Sequence, residues 1–157
     1  MDDVEKKKQT HQKPPLSIGR IAGEIFAGIG MSFAVMMPVL FIEVIVSFGG
    51  IRSEETRTAF MAMLSKVTPG VYGIAGAIGV YLLGNRGNQT GSLLLTLAFG
   101  FFAGVLNLAV LPLAKLLPEM LTIILLYSSM PLVLFVPPIF ATIGFNLTRR
   151  YKEPPSS

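Results

Sequence analysis

A chain of 157 residues with 52% hydrophobic and only 14% charged residues, at a mean hydropathy of +0.63, carries too few charges to clothe a water-facing surface; an ordinary soluble domain has about 25%. The formal charge of +4 gathers in polar end segments, which reads as lysines near anionic lipid rather than a nucleic-acid footprint. The absence of cysteine excludes disulfides and thiolate chemistry.

Residues 1–17 are polar, lysine-rich and broken by Pro14-Pro15, the composition of a mobile tail. Ser17 is a candidate cap for a helix starting near Ile18. The first span is expected over about 21–48, with Pro38 bending it and Gly49-Gly50 ending it. Its apolar run exceeds the 7–15 residues of a signal-peptide core, so a retained helix is expected.

Ser53 followed by Glu54-Glu55 supplies a side-chain cap and two acids at the positive end of a helix dipole. Phe60, Met63, Leu64 and Val67 then repeat at helical spacing. Two readings are open here. Residues 53–83 form one helix bent at Pro69 and crossing the membrane over about 60–84, with Lys66 snorkelling, or an interfacial helix precedes a short span. From Pro69 to Gly84 a helix rises only about 24 Å, short of a ~30 Å hydrocarbon core, which favours the first.

The stretch GNRGNQTG at 84–91 is a tight polar turn. A third span is expected over 92–113 and a fourth over 120–145, the latter kinked or broken by Pro131 and Pro137-Pro138. Residues 149–157 form a solvated tail with Tyr151 at headgroup level, so the helical domain is placed at 18–148. The fold class expected is all-α: an integral membrane four-helix bundle. With both termini inside, nine Lys/Arg are cytoplasmic and four (Arg52, Arg57, Lys66, Lys115) are outside. The positive-inside rule therefore puts both termini in the cytoplasm of a multi-pass protein of the cell (inner or plasma) membrane.

Gly70, Gly73, Gly76 and Gly79 fall within ten residues of span two, and Ser92, Thr96, Gly100 and Gly104 recur every fourth residue of span three. An interior glycine costs roughly 1 kcal/mol relative to alanine in a water-exposed helix. In lipid, helices associate through close packing that small residues permit. These eight residues are accordingly expected to form the contact of a tightly packed antiparallel hairpin, with Gly144 on span four less confined. A pore lining and a homo-oligomeric glycine-zipper contact are the rival readings. The segments GVYLLGNRGNQTGSLLLTL and PPIFATIGFNLTRRY resemble parts of small, uncharacterised prokaryotic membrane proteins with a glycine-rich hairpin. The hairpin is also faintly similar to that of ATP-synthase assembly proteins, whose turn carries an aspartate where this chain has Asn85 and Asn88. Neither likeness implies an activity or a site residue.

Residues suited to catalysis are scarce. His11 lies in the tail, no phosphate-cradling fingerprint is present, and no catalytic, cofactor or metal-ligating set is expected. Glu24 and Glu43 are the acids within the spans, about 28 Å apart along a helix. Glu24 reads as an anion at a helix N-terminus. Glu43, with Lys66, Asn107, Tyr127, Ser128 and Ser129, forms a candidate polar or ion site in the outer half, with a Glu43–Lys66 contact expected. The leading function is a non-enzymatic assembly, scaffold or accessory subunit, partnered by membrane lipid and either a second copy of itself or a larger membrane complex. The alternative is a small oligomeric transporter or channel using Glu43; an enzyme acting on lipids ranks third.

Overall fold

The computed structural model describes residues 17–50, 53–87, 89–109 and 119–151, with side chains except at 50, 119–131 and 151. The described residues are almost wholly helical. They form α1 (Ile18–Ile45), α2 (Glu54–Gly84), α3 (Leu93–Leu106) and α4 (Glu119–Leu147). Two short strands, β1 (Gln89–Thr90) and β2 (Arg150–Tyr151), pair antiparallel, Gln89 opposite Tyr151 and Thr90 opposite Arg150.

The ends of these helices follow local chemistry. Ser17 occupies the cap position of α1, but its backbone carbonyl, not its side chain, accepts the first amides. Ser53 caps α2 through its hydroxyl, which accepts from the Thr56 amide at 3.4 Å. The end of α1 loosens into a π-helical turn, Val46–Gly50, and closes at Gly49 with φ 103°, a conformation that favours glycine. α2 is one continuous helix through Pro69.

Two expectations are corrected. α4 is continuous through all three of its prolines, so it is not broken there. Pro137 and Pro138 are fully buried, and Pro138 seats against Gly28 and Gly76, so packing holds the segment that local propensity would break. α3 stops at Leu106 and continues as a 3-10 turn, Asn107–Ala109; the expected remainder of that span, 110–113, lies outside the described residues, as do the tail 1–16, Asn88, Lys115 and residues 152–157. Residues 149–151, assigned to the solvated tail, belong to the folded body: Arg149 is buried and Arg150–Tyr151 is a strand.

Consecutive helices pack antiparallel, as shown by α1 against α2 (Gly28 near Val80, Ser32 near Tyr72) and α2 against α3 (Gly73 at Gly100, Pro69 at Gly104). α2 and α4 each touch the other three helices and also meet across the bundle, which separates α1 from α3. The core is thin: Ala77, Val80, Ala141 and Phe145, flanked by Tyr81 and Leu97. Ile18–Gly49 and Glu54–Gly84 are long and apolar enough to cross a membrane by length and composition; Leu93–Ala109 and Leu132–Leu147 are shorter apolar helices.

Candidate functional site

The small residues singled out in the sequence divide between two interfaces. Gly70, Gly73, Gly100 and Gly104 lie between α2 and α3. A Cβ added at Gly100 would stand 2.6 Å from the Gly73 carbonyl oxygen and 2.7 Å from Ala77 Cβ, and one at Gly104 would run into the Pro69 carbonyl. Gly76 and Gly79 instead face α1, where a Cβ at Gly79 would meet the Ala27 carbonyl at 2.5 Å. α2 therefore packs as closely on α1 as on α3, because its glycines ring more than one face. Thr96 is fully buried and its hydroxyl donates to the Ser92 carbonyl at 2.6 Å. Ser92 precedes the first turn of α3 and caps it by accepting from the Leu95 amide at 3.3 Å. Gly144 is confined too, but less closely than Gly73, Gly100 and Gly104, since its Cβ would stand 2.9 Å from the Leu95 carbonyl.

At the end where α1 begins and α4 finishes, a charged node joins the helices. Glu24 is fully buried. Arg149 pairs with it directly, Arg20 Nε lies 3.4 Å away, and Asn146 Nδ2 donates to it at 3.3 Å. Arg20 Nη2 also donates to the carbonyls of Gly84 at 2.9 Å and Arg86 at 3.1 Å, neutralising the negative end of α2. Beneath the node Phe145 fits against Gly84 and Gly91, meets Tyr81 edge-on at 6.2 Å and carries the Arg149 guanidinium 5.4 Å above its ring. Thr148 Oγ1 accepts from the Ser92 amide at 2.8 Å, tying α3 to the same end. Glu24 is thus the centre of a four-helix lock, and the dipole reading of it is superseded. The Arg20–Glu24 spacing of four residues was the signal: arginine in the first turn of a helix opposes the dipole, so another partner has to justify it.

The second site lies toward the other end of α1. Met36, Leu40 and Glu43 make one stripe on α1, and Ser65, Thr68, Pro69 and Tyr72 make the facing stripe on α2 at intervals of three, four and seven. With Val133 of α4 they line an open cleft of about 180 Å³. Pro69 has no amide hydrogen, so the Ser65 carbonyl four residues earlier lacks its helical donor. The Thr68 and Ser65 hydroxyls donate back along their own helix, to the Leu64 carbonyl at 2.7 Å and the Ala62 carbonyl at 3.0 Å. Glu43 is partly buried, and among the described residues no lysine, arginine or histidine comes within ion-pair distance of it.

This gathering differs from the expected one. Lys66 is exposed and does not line the cleft, because it lies one residue, about 100° around the helix, from Ser65. Asn107 opens the 3-10 turn on α3, which packs on α2 and α4 away from α1. The side chains of Tyr127, Ser128 and Ser129 lie outside the described residues. Tyr72 and the freed Ser65 carbonyl were missed; the pairing of Pro69 with Tyr72 three residues on was the available signal. Comparison with family models, curated proteins and solved structures yields no match, so geometry alone carries the functional reading.

Proposed function

We propose that the chain is an integral membrane protein, a four-helix bundle with both termini on the cytoplasmic side, acting as a non-enzymatic assembly, scaffold or accessory subunit. The observation that carries this reading is an inverted surface. Phe26, Phe41, Phe48 and Leu94 are 70%, 69%, 89% and 79% exposed, whereas Glu24, Ser32 and Thr96 are fully buried. In water each such aromatic or leucine would forgo about 1.5–3 kcal/mol of burial, and contiguous patches of them drive association. A bilayer removes that penalty and requires internal satisfaction of polar groups, as in the Ser32 hydroxyl donating to the Tyr72 carbonyl at 3.0 Å.

Orientation follows from charge: Arg20, Arg86, Arg149 and Arg150 gather at the locked end, which suits the cytoplasmic face. α4 is 29 residues long, enough for a crossing at 1.5 Å per residue; α3 crosses only with help from the segment after it. A scaffold role is supported by the lock itself, which fixes the helices while leaving apolar flanks for lipid or a partner subunit. Reporter fusions at Met1, Arg57, Asn88, Lys115 and Ser157 test the topology. Cytoplasmic signals are expected at Met1, Asn88 and Ser157 and external ones at Arg57 and Lys115; an external signal from either terminus overturns the orientation, and a cytoplasmic one at Arg57 removes the first crossing. Recovery of a stoichiometric membrane partner from gently solubilised membranes supports the accessory role. The Glu43 cleft favours the second reading, a small oligomeric carrier, for which Glu43→Gln abolishes ion-driven flux while leaving the amount of folded protein unchanged.

A further inference from the structure

We propose that the cleft between α1 and α2 binds a small organic ammonium ion, its positive head at Glu43 and Tyr72 and its short apolar tail along Met36 and Leu40. The inference rests on the bundle's residing in lipid and deepens the carrier reading by naming what the cleft takes.

Four observations converge. Glu43 places a carboxylate in a largely apolar cleft with no cation beside it among the described residues; a carboxylate so placed is costly until it is paired or hydrated. Tyr72 lines the same cleft, and an aromatic face next to a carboxylate attracts an alkylammonium by both charge and ring quadrupole. Ser65 lines the cleft, and its carbonyl, which Pro69 leaves without a helical donor, is a further acceptor on that residue. The neighbouring hydroxyls of Ser65 and Thr68 have already committed their hydrogens to Ala62 and Leu64, so their oxygens turn only lone pairs outward. Among these groups the acceptors outnumber the donors, the Tyr72 phenol being the one hydroxyl whose hydrogen is not committed to its own helix.

Size and charge narrow the occupant. At about 180 Å³ the cleft resembles an engineered cavity of about 150 Å³ that holds benzene, and falls below the roughly 300–1,000 Å³ of drug-sized pockets. One ammonium head with a few methylenes fits that scale. An inorganic cation would find the same oxygens but leave the apolar wall of Met36, Leu40 and Val133 unused, so sodium and potassium serve as competitors, and equal binding of either overturns the proposal. A zwitterionic lipid headgroup would bring its phosphate beside Glu43, and among the described residues no arginine or lysine lines the cleft to receive it.

The test is calorimetric or saturation-transfer titration of the purified full chain in neutral detergent with butylammonium, against 1-butanol as its uncharged isostere. Saturable binding is expected for wild type, at least about tenfold weaker in Glu43→Gln, several-fold weaker in Tyr72→Leu, retained in Tyr72→Phe, and unchanged in Lys66→Met. Thermal unfolding of each variant establishes that the protein remains folded; if Glu43→Gln does not fold, Glu43→Asp, whose carboxylate sits one methylene further back, provides the second variant and is expected to bind more weakly. Equal binding of the isostere, equal binding by Glu43→Gln, or no saturation by roughly 10 mM, a free energy near −2.7 kcal/mol, overturns the proposal. Carbonate extraction of membranes and the reporter fusions read the membrane placement separately, so failure of binding and failure of placement are told apart.

Discussion

Replacing Glu24 by glutamine keeps the side chain's size and removes the charge on which two arginines converge. Arg149 then stands 8% exposed with no carboxylate beside it. Stranding one member of a buried ion pair costs about 3–5 kcal/mol. The lower end applies here for two reasons. The new amide oxygen still accepts a hydrogen bond, and the guanidinium keeps its seat over Phe145 at 5.4 Å, a cation–π contact worth up to about 2 kcal/mol when desolvated. The expected loss is therefore about 3 kcal/mol, somewhat more than a hundredfold in the folding equilibrium. Arg149→Met should cost less, because Glu24 retains Arg20, whose side chain is 33% exposed and free to adjust.

Reversible unfolding in mixed micelles, titrated with anionic detergent, measures both losses, and the double variant gives their coupling. The double variant is expected to lie close to Arg149→Met alone, since the arginine that Glu24→Gln strands is then absent. Amide exchange at Ser92 and Gly84 should accelerate in Glu24→Gln, because the lock holds those backbones through Thr148 and Arg20. A Glu24→Gln loss below about 0.5 kcal/mol, or strictly additive losses, would refute the lock.

Gly100→Leu and Gly104→Leu should each destabilise the bundle by a few kcal/mol in the same unfolding assay, in line with overpacking, since both meet backbone of α2. Gly144→Leu should cost less than either, its nearest contact being 2.9 Å, and Gly30→Leu, which has nothing within 4 Å, should fall within about 0.5 kcal/mol of wild type; equal loss at Gly30 would remove the role claimed for close packing. Phe145→Ala should cost about 3–5 kcal/mol, because the ring fills the space at Gly84 and Gly91 and carries Arg149. Replacing Glu43 and Lys66 together by Gln and Met should change stability no more than Glu43→Gln alone, since Lys66 does not line the cleft; a rescue by the second change would restore the pair.

The helical class, the start of α2 at Ser53 and the end of α1 at Gly49 were legible because each rests on a local cause: hydropathy, a hydroxyl cap, a glycine with positive φ. The small residues were legible as packing surfaces, but not which surface. Gly76 and Gly79 face α1 because that helix offers Gly28 as a counterpart, and a pairing across 50 residues leaves no local trace. Glu24 and Arg149 illustrate the same limit. Each has an adequate local explanation, a dipole anion and a tail cation, and only the closure of the bundle brings them together over 125 residues. Lys66 was placed by depth along α2, a quantity the sequence supplies; its direction around the helix excluded it from the cleft.

The two sites have opposite physics, and their separation follows from how α2 is buried. From Gly70 to Gly84 most of its residues are buried; from Glu54 to Pro69 none is. α1 repeats the pattern in reverse: Glu24, Gly28 and Ser32 are buried near its start, and beyond Met36 its residues are mostly exposed. Elements with few buried contacts open most readily, so the lock confines motion to the end where the cleft lies. Glu43, Ser65 and Thr68 sit beyond the close glycine contacts, where α1 and α2 can part without disturbing Phe145 or Glu24. A ligand or partner helix that enters there works against the weak end of the bundle while the strong end keeps the register. Binding at the cleft should accordingly slow amide exchange in α2 before Gly70 and leave exchange at Ser92 and Gly84 unchanged; protection spread evenly over both ends would mean the bundle responds as one rigid unit.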